Sequence, residues 1–143
     1  MKFVYNDGGR AEAGFKGETS DCACRAISIA TGRPYKEVYN LINEYGKKER
    51  LSKRKNSKSN ARTGVYMDTF KKIMDDFDWE WHPMMKIGTG CTTHMKSDEL
   101  PDGTIIVRLS KHYACVIDGV LNDTYDCTRN GTRCVYGYWK KID

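Results

Sequence analysis

The chain has 143 residues, 39% hydrophobic and 30% charged, with a net charge of +5. That length suits one domain around one core, and nine Tyr, four Phe and three Trp supply enough apolar material to exclude wholesale disorder. No run approaches the roughly 18 apolar residues of a membrane helix, and the opening MKFVYNDGGR has no apolar stretch of secretory type, so the expectation is a cytoplasmic protein without a membrane partner.

Residues 1–19 are Gly-rich and polar, with a strand expected at Phe3–Tyr5. Ser20 and Asp21 are good helix N-cap types, and the run Cys22–Ala30 is small and apolar, as in a buried helix, with Gly32 as its stop. Pro34 opens a second helix, in which Val38, Leu41, Ile42 and Tyr45 recur at helical spacing until Gly46. Residues 46–63 then read as a solvated surface loop. Lys47, Lys48, Arg50, Lys53, Arg54, Lys55, Lys58 and Arg62 stand there against Glu49 alone, so the positive charge of the protein belongs to this segment. Such a run could meet a phosphate backbone or steer an acidic substrate, but it lacks the interleaved aromatics of a single-strand stacking platform. Thr63 is placed to cap a third helix carrying Val65, Phe70, Ile73, Met74 and Phe77, and Trp79–Pro83 reads as a short strand.

Beyond Pro101-Asp102-Gly103 the chain becomes β-rich. Thr104–Leu109 is one strand, His112–Ile117 and Val120–Tyr125 flank the hairpin signal Asp118-Gly119, and Arg133–Trp139 reads as the last strand. Helices followed by strands predict an α+β domain over residues 1–143, with N-terminal helices packed on a C-terminal antiparallel sheet.

Two features point to chemistry. Cys22 falls at the first turn of a helix, where unpaired N–H groups and the helix dipole favour a thiolate and can hold an oxyanion. A two-residue loop at Asp118-Gly119 pairs Ile117 with Val120, Val116 with Leu121 and Ala114 with Asp123. His112 and Asp123 then become diagonal neighbours on one face, with Asn122 on the other. A base that activates a thiol needs such an orienting partner. Cys24, about 200° round the helix from Cys22, is expected in the core. The other cysteines, 91, 115, 127 and 134, are expected as thiols in a reducing compartment. A Cys₃His zinc site from Cys22, Cys24, Cys91 and His94 has the wrong spacing for a common knuckle, and no metal or cofactor is expected. His94 is read as a surface or cleft-lining residue and His82 as an ordinary strand-end one.

The strings DCACRAISIATGRPYKEVYNLIN and SKHYACVIDGVLNDTYD resemble the nucleophile helix and the His–Asp hairpin of small papain-superfamily cysteine peptidases, including bacteriocin-processing and NlpC/P60-like groups. The stretch from Ser20 to Trp139 more closely resembles small phage and bacterial cysteine-peptidase-like proteins. The resemblance implies a papain-like fold and amide hydrolysis or a related acyl transfer on a protein or peptide. It assigns the nucleophile to Cys22, the base to His112 and the orienting residue to Asp123. Many members use a Gln before the nucleophile as an oxyanion donor, and this sequence has none. Thr19, Ser20 or Asn6 are the side chains expected to substitute. The competing expectation is an inactive phage accessory protein that binds nucleic acid or a host factor through residues 47–62.

Overall fold

The computed structural model describes residues 1–142. Among them are strand β1 (Lys2–Tyr5), helices α1 (Cys22–Thr31), α2 (Tyr35–Lys47) and α3 (Met67–Asp76), and strands β2 (Trp79–Pro83), β3 (Thr104–Leu109), β4 (His112–Ile117), β5 (Val120–Asp123) and β6 (Gly137–Lys141). The fold is α+β, with one sheet in the order β1-β5-β4-β3-β6-β2. No helix among the described residues is long and apolar enough to cross a membrane.

The sheet is mixed, which corrects the expectation of a purely antiparallel, C-terminal one. β1 adds to it in parallel, pairing Lys2 with Val120 and Tyr5 with Asp123, and β2 closes the other edge against β6. Both edge strands therefore come from the first two-thirds of the chain. A parallel pairing needs a long crossover, and residues between β1 and β5 supply it, a relationship that local patterning does not encode.

β3 lies in the middle of the sheet and is apolar almost throughout, as a strand covered on both faces must be. Its side chains alternate. Ile106 belongs to one buried cluster with Tyr113, Trp139 and the inner faces of α1, α2 and α3. Ile105, Val107 and Leu109 meet Ala114, Val116 and Leu121 under a cover of Met95, Leu100, Cys127 and Val135 from the connecting loops. On the helical side Phe70 stacks on Tyr113 at 4.0 Å between centroids and touches Trp139 at 4.7 Å.

Several local boundaries differ from the sequence reading. Pro34 is the residue before α2 rather than its first, and α2 runs through Gly46 to Lys47. Gly46 marks a close approach instead of a stop: a Cβ there would lie 2.1 Å from the carbonyl oxygen of Ser59. Thr63 caps nothing, because Asn60 and Gly64 bridge each other and α3 starts four residues later, after Tyr66. The last strand begins at Gly137, not Arg133, since residues 133–135 turn aside to pair with Thr93–Met95.

That detour brings Cys134 to Cys91, and the two form a disulfide with Cα atoms 5.9 Å apart. The expectation of six thiols is thereby corrected to four, Cys22, Cys24, Cys115 and Cys127. Disulfides persist in oxidising surroundings, so this bond pulls against the cytoplasmic expectation. It also removes Cys91 from the imagined zinc set.

Candidate active site

α1 starts at Cys22 and ends on Gly32, whose φ of 73° is the left-handed cap expected of a glycine. Asp21 precedes the helix but does not cap it with its side chain. Its buried carboxylate instead turns inward, to Arg25 Nη1 and to the hydroxyl of Tyr35, which donates to Oδ2 at 2.6 Å. The first turn of α1 is thus left without a side-chain cap, and its first residue, Cys22, lines the cleft.

His112 comes directly after a two-residue turn, Ser110-Lys111, because Leu109 pairs with His112 across β3 and β4. Lys111 takes the left-handed conformation there, with φ of 56°, and Arg133 Nη2 donates to the Ser110 carbonyl at 2.7 Å. The second hairpin has the expected register, with Ile117 on Val120 and Cys115 on Asn122. Asp118 and Gly119 both have positive φ, 49° and 76°, as a type I′ turn needs.

This register brings His112 and Asp123 together. His112 Nε2 lies 2.7 Å from Asp123 Oδ2. An ionised carboxylate only accepts, so Nε2 carries the proton and Nδ1 is the nitrogen left for a thiol. His112 and Asp123 are 5% and 2% exposed, which keeps water from competing for that bond. The β4–β5 ladder stops at Cys115 and Asn122. The first residues of β4 therefore have no strand on that side, and there Cys22 and His112 line one cleft.

The electrostatics favour an ion pair. Burial works against ionising Cys22, but hydrogen bonding to His112, the charge of that ring, the Tyr113 N–H and the Arg25 guanidinium outweigh it and hold the thiol below the ordinary cysteine range. Burial alone would keep His112 neutral, yet its bonds to Asp123, Cys127 and Cys22 push its pKa up to about 11. Asp123 is disfavoured as an anion by burial, but His112, the Thr124 N–H and Arg25 more than compensate and lower its pKa.

Cys22 and His112 line a polar cleft of about 380 Å³ together with Thr19, Ser20 and Tyr125, and Asp123 holds the His112 ring from behind it. Thr19 and Ser20 also line a second, open groove beside Arg62 and Thr63. The Tyr125 ring rests 5.4 Å from that of His112; β5 ends at Asp123, two residues short of the expected strand end at Tyr125.

Comparison with protein-family models, curated proteins and solved structures gives no match.

Of the expected donors, Ser20 and Thr19 line the cleft, and the Thr19 hydroxyl lies 3.3 Å from the Arg62 carbonyl. Asn6 and Asn122 do not line it. Asn6 Nδ2 donates to Asn122 Oδ1 at 3.2 Å, and Asn6 Oδ1 accepts from the Gly8 N–H. Asn122 meets Asn6 rather than His112, and Asp123 is the side chain that contacts the ring. His94 hydrogen-bonds Glu99 at 3.2 Å and His82 stacks on Tyr138, both away from the cleft. Cys24 is fully buried, and its thiol is pushed up to about 12 by that burial.

Two residues escaped the sequence reading. Cys127, 2% exposed, reaches the same imidazole from the loop after β5. Its sulfur, a His112 nitrogen and an Asp123 oxygen lie within 4.8 Å of one another, a spacing that a metal ion can bridge. Both oxygens of Asp123 are already engaged, however, one by His112 and one by the guanidinium of Arg25, and that fixed positive charge on the same carboxylate repels a second cation. Arg25 is the other omission. Its signal was visible: a lone charge in an otherwise small and apolar helix needs a buried partner.

The basic segment is only partly free. Lys47 pairs with Glu44, Lys55 with Asp68, Lys58 donates to the Lys47 carbonyl and Arg62 to that of Lys16. Lys48 lies over the Tyr45 ring. Arg50, Lys53 and Arg54 are exposed and have no ion-pair partner among the described residues.

Proposed function

We propose that the protein is a papain-like cysteine hydrolase acting on a protein or peptide amide, with Cys22 as nucleophile, His112 as acid and base, and Asp123 as orienting residue. The observation that carries this is the 2.7 Å contact between His112 Nε2 and Asp123 Oδ2 beside a thiol of lowered pKa at a helix start.

In this reading the Cys22 thiolate attacks the carbonyl carbon, and the oxygen becomes an anion facing the first-turn N–H groups of α1. The His112 imidazolium gives its Nδ1 proton to the departing amine, the C–N bond breaks, and a thioester remains. Water then attacks the thioester as His112 takes its proton, and the C–S bond breaks to return acid and thiolate. An amine in place of water would give acyl transfer by the same steps. Ser20, which lines the cleft beside Cys22, is the side-chain donor that stands in for the Gln of related enzymes.

Cys22 is preferred to Cys127 as nucleophile because it lines the cleft, whereas Cys127 is sealed in the second core cluster. Activity-based profiling with a peptidyl warhead tests this: adducts and peptide turnover appear with the wild type and vanish with Cys22→Ala. Turnover that survives Cys22→Ala refutes the reading.

The exposed cations Arg50, Lys53 and Arg54 support a second reading, an accessory protein that binds nucleic acid through this segment. It requires an affinity that falls steeply with salt and is lost when these three residues are neutralised.

A further inference from the structure

Arg25 follows Cys22 by three residues, so one turn of α1 presents the sulfur and the guanidinium on the same face. The guanidinium is buried and forked between two buried carboxylates: Nη1 contacts Asp21 Oδ1, and Nη2 donates to Asp123 Oδ1 at 2.9 Å. Asp21 is itself fixed from behind by the Tyr35 hydroxyl. The other Asp123 oxygen holds the His112 ring. The helix that carries the nucleophile is thereby tied, through one side chain, to the carboxylate that orients the base.

We propose that Arg25 is a positioning residue of the reaction: it locks the Asp123 carboxylate in the orientation that holds His112, and it supplies the positive charge that favours the Cys22 thiolate. The proposal rests on the hydrolase reading above.

Charge balance in this pocket leaves Arg25 little freedom to be anything else. Asp21 and Asp123 contribute two negative charges. Arg25 contributes one positive charge, and Arg10 approaches Asp21 from the rim at 3.9 Å. The Cys22 thiolate and the His112 imidazolium cancel each other. Deleting Arg25 strands a negative charge beside the sulfur, which opposes ionisation of the thiol. Arg25 also lines the same cleft as Cys22, so its charge bears on the thiol as well as on the clamp between α1 and β5, as the least of the groups that lower the thiol's pKa. Arginine is also required by shape, since its planar fork reaches two carboxylates at once while the ammonium of lysine is a single point charge.

The test uses full-length Arg25→Lys, Arg25→Met, Asp123→Asn and the double variant Arg25→Lys/Asp123→Asn. The first readout is the pH profile of Cys22 alkylation by iodoacetamide, and the second is kcat and KM on a peptide found by profiling. Arg25→Met shifts the alkylation profile to higher pH. Arg25→Lys keeps the charge, so its profile stays close to the wild type's, while kcat falls by about 100-fold, the cost of a misplaced group, with KM little changed. In the Asp123→Asn background the Arg25→Lys change costs nothing more. A wild-type kcat in Arg25→Lys, or a fully multiplicative loss in the double variant, overturns the proposal even if Arg25→Met does not fold. An unshifted profile in folded Arg25→Met overturns the electrostatic half. An ordinary thiol profile in the wild type itself would instead sink the hydrolase reading, so the two failures are distinguishable.

Discussion

His112 and Asp123 stand 11 residues apart in sequence and 2.7 Å apart in space, joined Nε2 to Oδ2 across the diagonal of a hairpin. The two-residue turn at Asp118-Gly119 fixes that diagonal, because a slip of one residue would put Asn122 where Asp123 now stands. The pair makes stability depend on pH in a defined direction. Asp123 has a folded pKa below its ordinary 3.8, so its contribution is present above that value and lost as pH falls through the folded one. His112 is raised from 6.5 to about 11, so its contribution is complete below 6.5 and lost as pH rises toward 11. In a Cys22→Ala background, where the thiol no longer titrates, urea unfolding should show the greatest advantage of His112 over His112→Asn between roughly pH 4 and 6.5. The gap should narrow as the solution becomes alkaline. A gap that widens above pH 6.5 contradicts the assigned ion pair.

The Cys91–Cys134 bond predicts the thiol count. In denaturant without reductant the chain should expose four thiols, those of Cys22, Cys24, Cys115 and Cys127, and after reduction six, one for each cysteine of the sequence. Because the bond closes a loop of 43 residues, Cys91→Ser/Cys134→Ser should lower unfolding stability by about 2–4 kcal/mol. Peptide mapping and urea titration check both numbers. Six reactive thiols without reductant would contradict the pairing.

Gly46 gives a prediction from packing alone. The helix continues through it, and a Cβ would strike the Ser59 carbonyl at 2.1 Å, so the benefit that alanine usually brings to a helix interior is overridden. Gly46→Ala should destabilise the protein by about 1–3 kcal/mol, the usual cost of overpacking, measured as a lower urea midpoint with an unchanged slope.

The features legible in the sequence are those set by short-range rules. Cys22 was placed by Gly32 and the small apolar run, and the His112–Asp123 diagonal by the period of two and the Asp118-Gly119 turn. The parallel pairing of β1 with β5 and the disulfide of Cys91 with Cys134 depend on contacts over long loops, for which no local pattern exists. Asp21 misled for a different reason. Aspartate favours a cap, but the buried guanidinium of Arg25 and the hydroxyl of Tyr35 offered its carboxylate stronger partners. The boundary errors at Gly46 and Thr63 share a cause, since the segment from Ser59 to Gly64 folds back on α2, where the Asn43 side chain accepts the Ala61 N–H at 2.9 Å.

Whether Cys22 is a thiolate sustained by His112 is tested most directly by the pH dependence of its alkylation. The account predicts a rate that rises through a pKa below the ordinary 9.0 of a cysteine, with Cys24 and Cys115, both pushed up to about 12 by burial, unreactive in the folded protein. It also predicts that His112→Asn moves the Cys22 profile to higher pH. A Cys22 profile at the ordinary cysteine value, indifferent to the loss of His112, would contradict it.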